Sequence, residues 1–173
     1  MPIHIETGDI TQENACAIVN AANSSLMGGG GVDGAIHRAG GPEILEACKA
    51  IRQTQYPDGL PTGEAVATTA GKLPVKYVIH TVGPVWGRCG DRCEVLLANA
   101  YRNSLRTAES LECDSVVFPA ISTGVYGFPK ERAAKIAFET TRNFLASHPE
   151  IEVTFIFHSD RDSDIFKQAI KGL

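Results

Sequence analysis

Two side chains capable of acid–base chemistry, Asp33 and His37, follow a run of four glycines at positions 28–31. Their spacing places both on one face of the segment if it is helical. A carboxylate beside an imidazole can orient an attacking water and accept its proton. A histidine that packs against or caps a helix has the same spacing, so both interpretations of His37 stay open.

The glycine run lets a ligand approach the backbone closely, because glycine has no Cβ and a helix N-terminus attracts anions. The pattern G-x-G-x-x-G occurs at Gly29, Gly31 and Gly34. A dinucleotide-binding fold is disfavoured, because AANSSLM separates the glycines from the preceding apolar run and the region about twenty residues further on has a helical pattern. A Walker A loop would need a Lys-Ser or Lys-Thr pair, which does not follow. From this segment alone, a flexible surface turn stays an alternative.

A second glycine-containing loop, FPAISTGVYGFPK at 118–130, also follows an apolar run and leads into a helical pattern. In parallel α/β sheets such loops meet at the carboxyl ends of the strands, where ligands bind. Two glycine-rich helix N-termini suit two neighbouring phosphates, which predicts a diphosphate ligand. Asn20 and Asn23 precede the first loop, and their amides can bond sugar hydroxyls as donor and acceptor together.

The elements that must position these residues alternate along the chain. Strand-like runs rich in Val, Ile and Phe are IHI, CAIVN, EAVATTA, KYVIHTV, DSVVFPAI and VTFIFH. Helical patterns follow the glycines and recur at 42–51, 91–110, 129–145 and about 162–172. This alternation predicts one α/β domain over 1–173 with a mainly parallel sheet between helical layers. Residues 64–82 leave no room for a helix between two strand-like runs, so they predict an antiparallel hairpin and hence a mixed sheet.

Composition narrows the class of protein. The net charge of −4 argues against direct nucleic-acid binding through a broad basic surface. Five widely spread cysteines predict reduced thiols, and the spacing of Cys89 and Cys93 does not match a zinc or redox motif, so no metal is expected. The first residues do not resemble a signal peptide, and no apolar run approaches the ~20 residues of a membrane span. We therefore expect a cytoplasmic protein that does not enter membranes.

Five stretches, in order along nearly the whole chain, together resemble a macro domain of the MacroD type, close to its bacterial members. They are GDIT (8–11), IVNAANSSLMGGGGVDGAIHRAGG (18–41), LPTGEA (60–65), IHTVGPVW (79–86) and FPAISTGVYGFP (118–129). The resemblance implies a three-layer α/β/α sandwich around a mixed six-stranded sheet, with ADP-ribose as ligand. It also implies hydrolysis of O-acetyl-ADP-ribose and removal of single ADP-ribose units from acidic protein side chains, without a cofactor, metal or covalent intermediate.

The same resemblance assigns roles to individual residues. Asp9 would accept a hydrogen bond from the adenine amino group, with Ile10 beside it. Asn23 and Asp33 would hold the distal ribose and the attacking water, supported by Asn20 and His37. Whether Asp33 is a general base or a substrate phosphate orients the water stays open. The remaining ligand contacts, mostly around the diphosphate, would be Ala22, Gly30, Gly31, Val32, Ser122, Thr123, Gly124, Val125 and Tyr126.

One departure from the family pattern concerns the adenine. At the position where many relatives have Phe or Tyr to stack on the base, this chain has His158, with Phe157 adjacent. Either ring could stack. Two other functions stay open: a reader that binds ADP-ribosylated proteins without cleaving them, and a regulatory protein that acts through a partner such as a ribonuclease. The expected partners of the leading hypothesis are ADP-ribose, O-acetyl-ADP-ribose and mono-ADP-ribosylated proteins, bound by a monomer.

Overall fold

Strands and helices alternate along the computed structural model, which describes residues 2–173. The strands are β1 Ile3–Thr7, β2 Ala15–Ala22, β3 Ala65–Thr69, β4 Val75–Val82, β5 Ser115–Phe118 and β6 Glu152–Phe157. The helices are α1 Gly31–Gly40, α2 Pro42–Thr54, α3 Cys93–Ser110, α4 Lys130–Ser147 and α5 Asp160–Ala169. None of these helices is long and apolar enough to cross a membrane.

The predicted helices are present with shifted ends. The helix expected from about residue 162 begins at Asp160, because the hydroxyl of Ser159 accepts a hydrogen bond from the Asp162 N–H and caps it there. The helix expected from residue 129 begins one residue later, with Pro129 as its N-cap. The first helix begins inside the glycine run, at Gly31, so the run supplies both the loop and the helix start.

The six strands form one sheet in the order β1-β6-β5-β2-β4-β3. All neighbouring strands are parallel except β3 and β4, which form the antiparallel hairpin predicted for residues 64–82. The sheet is therefore mixed and mainly parallel, as predicted. Since β1, β6, β5, β2 and β4 run in the same direction, the loops after them all emerge at one edge of the sheet.

Alternating side chains of each strand face two different helical layers. On β2, Ala17 and Val19 belong to the core cluster that includes α3, α4 and α5, whereas Ile18 and Ala22 belong to the cluster that includes α1 and α2. On β6, Phe155 lies in the first cluster and Ile156 in the second. The two clusters are the two faces of the sheet, which confirms the three-layer α/β/α sandwich.

The prediction of reduced thiols is wrong for four of the five cysteines. Cys16 on β2 and Cys113, just before β5, form a disulfide although they are 97 positions apart in the sequence. They meet because β2 and β5 are paired in parallel, a proximity that spacing in the sequence does not reveal. Cys89 forms a second disulfide with Cys93, the first residue of α3. Cys48 is a buried free thiol.

Candidate functional site

The loop after β2, residues 23–30, is folded by the side chain of Asn23. The Asn23 Oδ1 atom accepts hydrogen bonds from the Ser25 N–H, at 3.1 Å, and from the Ser25 hydroxyl. Its Nδ2 donates to the Gly28 carbonyl oxygen at 3.0 Å. Asn23 therefore shapes the glycine loop, while the second hydrogen of its Nδ2 stays available.

The backbone of this loop packs tightly against α1 at Gly29. A Cβ atom on Gly29 would lie 3.2 Å from Asn23 Nδ2 and 3.3 Å from Asp33 Oδ2. Gly34 allows the approach from the helix side, since a Cβ atom there would lie 2.5 Å from the Gly29 carbonyl oxygen. At Gly30, by contrast, a Cβ atom would meet nothing within 4 Å. Gly29 therefore packs against the Asp33 carboxylate, whereas Gly30 borders open space.

Asp33 is buried in the first turn of α1, with 5% of its surface exposed. Its Oδ1 accepts a hydrogen bond from Asn20 Nδ2 at 2.8 Å. His37 Nε2 lies 3.4 Å from the same oxygen, which is close enough for an electrostatic contact but does not meet the geometry of a hydrogen bond. Asp33 Oδ2 makes no hydrogen bond to any described residue. One carboxylate oxygen is therefore held by a hydrogen bond from Asn20, and the other is buried next to Gly29 without a hydrogen-bond partner among the described residues.

His80, on β4, joins this group although its sequence context did not single it out. Its Nδ1 lies 3.1 Å from Asn20 Nδ2 and its Nε2 lies 2.8 Å from the Thr68 hydroxyl. Burial, and to a lesser degree the charge of His37, lowers the pKa of His80 to about 3. Burial raises the pKa of the neighbouring Cys48 thiol to about 11, with a smaller contribution from the Asp33 carboxylate. His80 and Cys48 are therefore neutral at neutral pH. The one feature of the sequence that could have drawn attention to His80 is that this polar residue lies within the apolar run KYVIHTV.

The loop after β5 is fastened at its base and open at its tip. Ser122 is buried in the left-handed region with φ 68°, and its carbonyl oxygen accepts a hydrogen bond from the Phe128 N–H at 2.9 Å. The Trp86 N–H donates to the Tyr126 carbonyl oxygen at 2.9 Å. Val125 is fully exposed.

Within the described part of the chain, the N–H groups of residues 123–126 have no hydrogen-bond acceptor. The N–H groups of Gly31 and Val32 begin α1 and likewise have no carbonyl partner within their helix. Two sets of free donors therefore lie at the same sheet edge, after β2 and after β5. They provide what an anion such as a diphosphate requires.

The candidate adenine end lies at the carboxyl ends of β1 and β6. Asp9 Oδ1 accepts hydrogen bonds from the Thr11 hydroxyl at 2.7 Å and from the Thr11 N–H at 2.9 Å. These bonds, the hydroxyl first, hold the pKa of Asp9 below its usual value, and the charge of His158 acts in the same direction. The next residue, Ile10, is buried in the same core cluster as Ala22. Asp9 therefore stays ionised and keeps Oδ2 as an acceptor.

The two candidate stacking rings face different ways. The Phe157 side chain is buried and packs on Phe166, with ring centroids 5.1 Å apart. His158 is exposed, lies one residue beyond the end of β6, and its charge acts on Asp9. Of the two, His158 is the ring that is exposed near Asp9.

Comparison with known proteins agrees with this architecture. A family model for the macro domain matches residues 19–137. The macro domain-containing protein in the gbd 3'region of Cupriavidus necator is 56% identical over 170 residues, which cover 97% of this chain and 96% of that protein. The O-acetyl-ADP-ribose deacetylase of Escherichia fergusonii is 54% identical over 171 residues, which cover 97% of this chain and 94% of the relative.

Among solved structures, a mutant of the Oceanobacillus iheyensis macrodomain with ADPR (ADP-ribose) is similar at a TM-score of 0.93 and 48% identity. The match covers 96% of this chain and 90% of that one. The family model covers residues 19–137, and the sequence identity and the similarity of fold extend over nearly the full length. The chain belongs to the macro domain family.

Proposed function

We propose that this protein hydrolyses esters of ADP-ribose: the acetyl ester of O-acetyl-ADP-ribose, and the linkage of single ADP-ribose units to Asp or Glu side chains of proteins. The observation that carries the proposal is the free Oδ2 of the buried Asp33, held beside Gly29 and Asn23 at the edge where two sets of unpaired N–H groups meet. The name of the Escherichia fergusonii relative and the ADP-ribose bound by the Oceanobacillus iheyensis macrodomain support it. In this proposal residues 1–173 form one macro domain.

The ligand would lie along the carboxyl edge of the sheet. Asp9 would accept from the adenine amino group beside Ile10 and Ala22, and the exposed His158 would stack on the base. The diphosphate would take the free N–H groups at 30–32 and 122–126, an arrangement that requires no lysine or arginine. This order brings the distal ribose to Asn23, whose remaining Nδ2 hydrogen can bond a sugar hydroxyl.

Water is the nucleophile in the proposed reaction. Asp33 Oδ2 orients the water and accepts its proton while the water oxygen adds to the ester carbonyl carbon. The ribose oxygen then leaves that carbon and takes up a proton, which yields acetate and ADP-ribose. Asn20 and the nearby imidazole of His37 hold the Asp33 carboxylate in place during these steps. The residues of this chain alone would supply the acceptor and the positioning.

Two measurements test the proposal together. Calorimetry with ADP-ribose reports binding, and acetate release from O-acetyl-ADP-ribose reports turnover. A glutamate-linked mono-ADP-ribosyl protein, assayed in parallel, shows which linkage is cleaved. Binding without release from either substrate would leave a reader. No binding of ADP-ribose at millimolar concentration would overturn the ligand assignment itself.

A further inference from the structure

A chain of buried polar side chains runs behind Asp33, on the face of the sheet that α1 and α2 cover. Asn20 on β2 and His80 on β4 are paired across the sheet, and both are fully buried. Asn20 Nδ2 contacts Asp33 Oδ1 at 2.8 Å and His80 Nδ1 at 3.1 Å, and the far side of the imidazole contacts the Thr68 hydroxyl at 2.8 Å. We propose that His80 is a positioning residue that holds Asp33 in its reactive geometry through the amide of Asn20.

The hydrogen bonds among these buried polar side chains are consistent with a single arrangement of protons. Asn20 Nδ2 carries two hydrogens and donates one to Asp33 and one to His80 Nδ1, which is therefore unprotonated. The imidazole proton is on Nε2 and is donated to the Thr68 hydroxyl, whose own hydrogen goes to the Thr69 carbonyl oxygen at 2.9 Å. A flip of the Asn20 amide would turn its oxygen toward the carboxylate. The carboxylate and the imidazole together therefore select one amide orientation.

Burying these polar side chains costs free energy that a purely structural role would not require. Val78 and Val82, on the same face of β4, are buried apolar residues, so the layer readily accommodates apolar side chains. The polar chain also leaves Asn20 Oδ1 buried without a hydrogen-bond partner among the described residues. Burying an unpaired polar atom destabilises a fold. The series of hydrogen-bonded side chains ends at Asp33, whose Oδ2 has no hydrogen-bond partner among the described residues. This favours a role in positioning Asp33.

The protonation state of His80 suits this role. Burial keeps the pKa of His80 low, at about 3, so Nδ1 remains an acceptor at neutral pH. Replacing the imidazole by an apolar group removes the acceptor, so the Asn20 amide is free to rotate and Asp33 loses a fixed donor. The groups proposed to bind adenine and diphosphate lie elsewhere and are unaffected. Given the proposed hydrolysis, on which this inference rests, kcat falls while KM stays unchanged.

Three variants separate positioning from packing. His80→Leu removes the acceptor, and we expect kcat for O-acetyl-ADP-ribose to fall by about 10²-fold, with KM and the Kd for ADP-ribose within about twofold of wild type. His80→Asn places an acceptor oxygen near the former Nδ1 position and restores kcat to within about fivefold. Val78→Ala creates a cavity on the same strand and face, so it should lower Tm without lowering kcat. Equal kcat values for the Leu and Asn variants, or a wild-type kcat in His80→Leu, would overturn the inference.

A spectroscopic measurement on wild-type protein decides the question even if His80→Leu does not fold. Nitrogen-15 NMR of histidine-labelled protein should show His80 as the Nε2–H tautomer, without titration between about pH 5 and 8. Asn20→Ala should shift the His80 Nδ1 resonance toward that of an unbonded nitrogen. An Nδ1–H tautomer, or no shift on Asn20→Ala, refutes the proposed chain. If the NMR spectra show the proposed hydrogen bonds of His80 but wild type releases no acetate, the proposed hydrolysis is wrong although the hydrogen bonds are present. The role of His80 in turnover is then wrong as well.

Discussion

The two loops that offer free N–H groups are built differently. The loop after β2 lies on a buried polar cluster, and its glycines make room for the carboxylate of Asp33. The loop after β5 is held by backbone hydrogen bonds, from the Phe128 N–H to the Ser122 carbonyl oxygen and from the Trp86 N–H to the Tyr126 carbonyl oxygen, and Val125 at its tip is fully exposed. In the proposed function the first loop would combine N–H donors for an anion with the Asp33 carboxylate as proton acceptor, whereas the second would contribute N–H donors.

This difference assigns separate tasks to the loops. Changes around Asp33 should lower turnover, because they alter the carboxylate that is proposed to orient the attacking water. Changes in the loop after β5 should alter stability or affinity and leave kcat in place. A variant of the second loop that abolished turnover while it still bound ADP-ribose would contradict this division.

The largest effect is expected from Asp33→Ala. Removing the carboxylate takes away the proton acceptor, so kcat for O-acetyl-ADP-ribose should fall by about 10²- to 10⁴-fold. The free N–H groups are untouched, and the Kd for ADP-ribose should change by less than about tenfold. Steady-state kinetics and calorimetry measure the two quantities. Asp33→Asn is the matched control for shape, and unchanged turnover in both variants would exclude Asp33 from the chemistry.

Two adjacent glycines provide a comparison within the first loop. A Cβ atom at Gly29 would crowd Asn23 Nδ2 and Asp33 Oδ2, whereas one at Gly30 would point into open space. Gly29→Ala should therefore displace the carboxylate and lower kcat by about tenfold or more. Gly30→Ala should raise KM several-fold, because its methyl group would extend into the open space proposed for the diphosphate, and should leave kcat near wild type. Similar kcat and KM changes in both variants would mean that the loop acts only by its flexibility.

The sequence predicted which residues of the candidate site lie close together where they are contiguous in the chain. The glycine run with Asp33 and His37 lies within one loop and the first turns of one helix, so local spacing was sufficient to place the two side chains on one face. The order of strands and helices likewise follows from local patterns. The predicted ends of the helices were less accurate. The last helix begins at Asp160 because Ser159 caps it there.

Contacts between strands were beyond this kind of prediction. His80 meets Asn20, and Cys16 meets Cys113, only because separate strands become neighbours in the sheet. The choice between Phe157 and His158 was different, since strand alternation places Phe157 on the same face as the buried Phe155. That periodicity was present in VTFIFH and would have indicated that Phe157 is buried, whereas the exposure of His158 follows from its position just beyond the end of β6.

The buried imidazole behind the first loop should give the fold an acid-sensitive stability. The folded pKa of His80 is about 3 and the unfolded value about 6.5, so the unfolded state binds the proton more readily below pH 6.5. The contribution of His80 to stability is therefore complete above about pH 6.5 and is lost as pH falls toward 3, with a slope of up to about 1.4 kcal/mol per pH unit.

Urea unfolding of wild type and His80→Asn over this range measures that slope. The groups that face His80 are His37, Asp33 and Cys48, and they are the same in both proteins. The difference between the two proteins therefore isolates His80. Parallel stability curves for wild type and His80→Asn would show that the imidazole is not held neutral by the fold.

The smallest effect is expected at the base of the second loop. The Ser122 hydroxyl is buried and has no hydrogen-bond partner among the described residues, so Ser122→Ala removes an unsatisfied polar group and should raise the free energy of unfolding by about 1 kcal/mol. The hydroxyl of the half-buried Thr123 can reach water, so Thr123→Ser should leave stability unchanged and serves as the control. Urea unfolding measures stability, and acetate release should show kcat within about twofold of wild type in both variants. A large loss of kcat in Ser122→Ala, with ADP-ribose still bound, would place part of the chemistry on the loop after β5 and end the separation of tasks between the two loops.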